Sequence, residues 1–159
     1  MRSRAALGSH PLHPAMVAIP IGAFTVAVVA DIVDLVRGDA TWAATASLAL
    51  AVGIVGALLA AVLGFIDYFA MPMSVAGRRW ATRHMVINLI GVVLFATSWW
   101  LRRGDVAAVP TSAVALNVIA FVGLGISGWI GGNMVYRHKM AVLEHADPEA
   151  TAIGQRESA

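Results

Sequence analysis

Few residues in this chain could carry chemistry, and most are histidines. His10-Pro11-Leu12-His13-Pro14 offers two imidazoles within five residues. Arg83-His84 offers another, with Asn88 one helical turn further on, and Asp67 closes a long apolar stretch. Imidazoles from separate helices at one depth are what a metal or haem site needs. The candidate axial pair is His13 with His84, and His10 is the substitute for His13. Asp67 and Asn88 would orient the imidazoles from behind. Arg78, Arg79 and Arg83 could take haem propionates, because Arg pairs well with carboxylates. Cysteine is absent. That excludes disulfides, cysteine-ligated clusters, c-type attachment and thiol catalysis, and leaves b-type haem as the common haem form. The same histidines also admit a plainer reading, as hydrogen-bonding anchors at helix ends.

The elements that position these groups are apolar. Of 159 residues, 59% are apolar and only 13% charged. Mean hydropathy is +0.78. A soluble domain carries about 25% charged residues, so this composition points to a membrane. Four stretches, at about 15–36, 42–69, 80–101 and 112–136, are each long enough to cross a hydrocarbon core about 30 Å thick. They read as helices, because an open strand leaves its backbone groups unsatisfied in lipid. The expected fold is an all-α, integral membrane four-helix bundle. Residues 1–14 form a stiff extended lead-in, 15–139 the bundle, and 140–159 a polar, mobile tail. A signal peptide is the rival reading of the first stretch, but the run is long for one and holds Pro20.

Four spans put both termini on one side. That side carries Arg2, Arg4, Arg78, Arg79, Arg83, Arg137, Lys139 and Arg156, against Arg37, Arg102 and Arg103 on the other. The positive-inside rule makes the richer side cytoplasmic. The net charge of +2 is therefore a topology signal, not a nucleic-acid surface. The five histidines fall on the same side, so the expected site lies near the cytoplasmic face.

Small and polar residues recur at helical spacing, as on the inward faces of membrane helices. The stripes are His13, Val17, Pro20, Phe24, Ala27 and Asp31; Gly53, Gly56, Ala60, Gly64 and Asp67; His84, Asn88, Gly91, Phe95 and Ser98; and Asn117, Phe121, Gly125, Gly128 and Gly132. Gly123-Leu124-Gly125-Ile126-Ser127-Gly128 matches a dinucleotide-binding pattern, but it lies mid-membrane with no strand before it. It reads as helix packing. Asp31 lies near the far side, and the expectation for it is an ion pair with Arg37, Arg102 or Arg103. Arg37-Gly38-Asp39 and Arg102-Arg103-Gly104-Asp105 are similar breaks that hint at a duplicated hairpin, without a residue-by-residue repeat.

His10-Pro11-Leu12-His13-Pro14, followed by Pro20-Ile21-Gly22 and Asp31, resembles a bacterial membrane family catalogued as domain of unknown function 2231. Asp67, Arg83-His84 with Asn88, and Gly131-Gly132-Asn133-Met134-Val135-Tyr136 match as well. Arg137-His138-Lys139 departs from the glycine-containing turn expected there. Relatives joined to Rieske or cytochrome c modules imply an electron-transport neighbourhood. Together these observations lead to a redox-linked protein of the bacterial cytoplasmic membrane, holding one b-type haem or metal ion for electron transfer. The alternative is an accessory subunit, without a cofactor, packed against a respiratory or transport complex or a second copy of itself. A small carrier is a third reading, weakened by the lack of paired broken helices.

Overall fold

A computed structural model describes residues 3–8, 10–104 and 109–140. The expected tail beyond Met140, with His145, lies outside the described residues. Ala6–Leu7 (β1) and His10–Pro11 (β2) form a minimal antiparallel pair. Helices follow at Leu12–Met16 (α1), Ala18–Arg37 (α2), Ala40–Ala70 (α3), Val75–Leu101 (α4) and Thr111–Tyr136 (α5). Four helical spans, Leu12–Arg37, Ala40–Ala70, Val75–Leu101 and Thr111–Tyr136, are long and apolar enough to cross a membrane.

The start of the first span corrects the extended lead-in. The helix begins at Leu12, so His13 lies inside it rather than ahead of it. Pro14 is tolerated there because first-turn amides have no intrahelical acceptor. The break between α1 and α2 falls at Val17. Pro20 explains it: its ring cannot bond to the Met16 carbonyl and crowds it.

α2 packs on α3 and α4 on α5 as two extensive hairpins, with sparser contact between them. α2 and α4 face each other across the bundle axis, where Phe24 and Phe95 stack with centroids 3.6 Å apart and planes 6° from parallel. Gly53 makes room for this stack: a Cβ there would lie 2.5 Å from Phe24. Further along the axis, Arg102 donates to both oxygens of Asp31, at 2.5 and 2.7 Å. Asn117 Nδ2 donates to the same carboxylate at 2.6 Å. Both side chains are fully buried, and of the three arginines considered for Asp31 it is Arg102 that pairs with it.

The stripes on the first three spans face inward as expected. The fourth is rotated. Its buried residues are Ala113, Val114, Asn117, Ala120, Ser127 and Ile130, while Gly125 and Gly128 are exposed and a Cβ at either would meet nothing. The outward faces are apolar, with Leu48, Val55, Ile119 and Trp129 all more than half exposed.

In the turn of the first hairpin, Asp39 caps α3, accepting from the Thr41 amide at 2.9 Å. Hydrogen bonds from the Thr41 backbone and then its side chain hold the Asp39 carboxyl below the usual aspartate range. A depressed folded pKa means that the cap's contribution is present above the unfolded pKa and fades as pH falls through the folded one. Amide exchange at residues 40–43 should therefore stay slow at neutral pH and accelerate only in strong acid. Asn in place of Asp39 should abolish that pH dependence.

The glycines give a second test. Gly53→Ala should destabilise by about 1–3 kcal/mol through overpacking, whereas Gly125→Ala should leave the unfolding midpoint in detergent unchanged or slightly raised. Equal effects at both positions would contradict the packing described.

Candidate functional site

Two histidines far apart in sequence meet at one end of the axis. The rings of His13 and His84 have centroids 6.5 Å apart and stand at 89°. Each is placed by its own hairpin in the same way. His13 Nδ1 lies 2.8 Å from the Ala60 carbonyl on α3, and His84 Nδ1 lies 3.0 Å from the Ser127 carbonyl on α5. One turn beyond each carbonyl stands a glycine. A Cβ on Gly64 would lie 3.1 Å from the His13 ring, and one on Gly131 would lie 3.2 Å from the His84 ring. Glycine lets each imidazole settle onto the neighbouring helix backbone.

These contacts fix the tautomers. A carbonyl only accepts, so each Nδ1 carries a proton, and the neutral form of either ring has its lone pair on Nε2. The two Nε2 atoms differ in their surroundings. Asn88 Nδ2 lies 3.1 Å from His84 Nε2, and also 2.9 Å from the His84 carbonyl and 2.7 Å from Ser127 Oγ. Ser127 Oγ is itself 2.9 Å from His84 Nδ1. At the position of His13 equivalent to Asn88, one turn further on, stands Val17, with no polar group to offer.

Asn88 meets the His84 imidazole at Nε2, the nitrogen a metal would take, rather than from behind. Asp67 has a different task from the expected one: the groups that orient His13 and His84 are Ala60, Ser127 and Asn88. Asp67 instead accepts from Ser3 Oγ at 2.7 and 2.9 Å, and from the Arg4 and Ala5 amides at 2.7 and 2.9 Å. It pins the N-terminal segment across this end of the bundle. His10 is exposed on β2, in register with Leu7.

Arg78, Arg79 and Arg83 are exposed on the first turns of α4. Arg78 lies over the Tyr68 ring at 5.1 Å, and Arg83 over Trp80 at 5.6 Å. His138 stands beside Trp80, with centroids 6.2 Å apart. Among the described residues, no group of three or more His, Cys, Asp or Glu could hold a metal ion.

Sequence reasoning missed Ser127 and the two glycine-backed carbonyls. In the sequence, Ser127-x-x-x-Gly131 reads as a place of close helix packing and not as a seat for an imidazole. The available signal was the shared spacing Ala60-x-x-x-Gly64 and Ser127-x-x-x-Gly131, each on the second helix of a hairpin.

Bundle and site together define a polytopic helical membrane protein, in contact with lipid, with a paired-imidazole centre on its axis. The chain belongs to the family described as a predicted membrane protein (DUF2231), which it matches over residues 9–144. No curated protein and no solved structure matches it.

Val in place of Gly64 or Gly131 should push the imidazole off its carbonyl. The expected cost is about 1–3 kcal/mol for each, read as a lowered unfolding midpoint with a change in the nitrogen-15 shifts of that histidine alone. Unchanged shifts would refute the seating described here.

Proposed function

We propose that the protein is a redox-linked membrane protein that holds one b-type haem between His13 and His84, near the cytoplasmic face, for electron transfer. The observation that carries this reading is the pair itself. Two imidazoles from different hairpins face each other, each with Nδ1 committed to a backbone carbonyl. That is the usual support of a ligating histidine. Two rings on opposite sides of one metal, with metal–nitrogen bonds of about 2 Å, have centroids roughly 6 Å apart. The observed 6.5 Å is close to this.

The ligand count favours a porphyrin over a bare ion. A bare ion wants three or four protein ligands, and the described residues offer no such group. A porphyrin supplies four nitrogens and asks the protein for two. His84 would exchange its Asn88 contact for the iron, while Asn88 keeps its bond to Ser127 Oγ. Arg78, Arg79 and Arg83 begin the helix that carries His84, and are the candidates for the propionates. Electron transfer needs no catalytic acid or nucleophile. The positive-inside rule supports both termini on the cytoplasmic side of the membrane, here the bacterial cytoplasmic membrane of the proposal.

One observation favours a second reading. Both imidazoles already have hydrogen-bond partners, and His84 has them at both nitrogens. Histidines satisfied in this way also suit an accessory subunit, without a cofactor, packed against a larger membrane complex.

Absorbance separates the two. Purified protein titrated with hemin in mild detergent should develop a Soret band that saturates at one equivalent. The band should be lost or shifted in His13→Ala and His84→Ala, and retained in Asp67→Asn. Protein that leaves the spectrum of free hemin unshifted, yet copurifies with an oxidoreductase, would overturn the haem reading in favour of the accessory one.

A further inference from the structure

The two hairpins repeat their chemistry with one offset on their first helices and another, shorter by one helical turn, on their second. His13 meets His84, Phe24 stacks on Phe95, and Asp31 pairs with Arg102. Each pair is separated by the same 71 residues as the ion pair. The second helices correspond as well. Ala60 and Ser127 accept from the two imidazoles, and Gly64 and Gly131 seat them. Ala46 with Ala113, and Gly53 with Ala120, are buried at the same offset as those two pairs. Three layers of contact across the axis, together with matched contacts inside each hairpin, define a pseudo-two-fold axis along the bundle. Side-chain identity is preserved at His and Phe, but not at the third layer.

We propose that the chain is two copies of one helical hairpin, and that Asp31 and Arg102 occupy one position seen in both copies. They are positioning residues that lock the register in which His13 meets His84. In a symmetric pair of identical hairpins this position would set like charges against each other on the axis. Divergence to Asp and Arg turns that repulsion into a bidentate bond. It also discriminates between partners: hairpin one accepts hairpin two and rejects a second hairpin one.

The surroundings suit a pair that could sit either way round. Asn117, on α5 beside Asp31, donates through Nδ2 and has its Oδ1 buried without a partner. Ser98 lies one turn from Arg102, within 3.3–3.4 Å of its nitrogens. An amide and a hydroxyl can each donate or accept.

The test uses the full-length chain, which has no native cysteine. H13C/H84C is treated with a short bis-thiosulfonate, and intramolecular bridging is counted by intact mass. The readout involves no bound group, so it fails or succeeds independently of the haem reading. Bridging should be efficient in this background. It should fall several-fold with D31L or with R102L, because each leaves a buried charge unpaired. It should return with the exchanged pair D31R/R102D. The exchange leaves the charge at that end of the bundle unchanged, so topology signals are not disturbed. If single variants do not insert, the exchanged pair alone decides: restored insertion and bridging support the proposal. Failure of the exchange to restore bridging, or full bridging in the single variants, overturns it.

Discussion

Lipid gives an apolar side chain no reason to hide, so this bundle depends on contacts that lipid cannot offer. They lie along one line. At one end a fully buried Asp–Arg bond joins α2 to α4. In the middle two phenylalanines stack. At the other end two imidazoles meet. Each layer joins the first hairpin to the second, where packing is otherwise sparse. The ion pair is the costliest of the three to break, because losing one partner would leave a charge in a medium that solvates it poorly.

The histidine layer shows how a membrane helix can host a polar side chain. The Ala60 and Ser127 carbonyls already belong to helices, yet a carbonyl has two lone pairs and can accept again. Access is the difficulty, because the side chain one turn later covers the carbonyl. Glycine removes that cover at both places. The result is a ring seated against a helix with one nitrogen engaged. The other nitrogen is then left to accept, as at His84, where Asn88 lies beside it.

The halves share a backbone plan but diverge where function would ask for it. Val17 and Asn88 occupy equivalent places, as do Leu50 and Asn117. Each time the second hairpin carries the polar member of the pair. The N-terminal segment pinned by Asp67 belongs to the first hairpin alone. One end of a nearly symmetric frame thereby acquires a covered side, and its two imidazoles acquire unequal surroundings.

The chain's own pattern was enough for four spans, for three of the four inward stripes, and for His13 and His84 lying in one layer. Length, hydropathy and helical periodicity are local properties, and the membrane enforces them. The orientation of α5 was not legible. Gly125 and Gly128 look like a packing seam inside the chain, but among the described residues nothing approaches either of them. The task of Asp67 was hidden too, because its partners are backbone amides, which carry no sequence signal. The proposed hairpin repeat shows in the sequence only as two similar breaks, since Asp and Arg at one equivalent position look like unrelated residues until they are found bonded across the axis. Which carbonyl an imidazole meets, and which arginine answers Asp31, depend on how two hairpins are rotated against each other. Only the assembled bundle fixes that rotation.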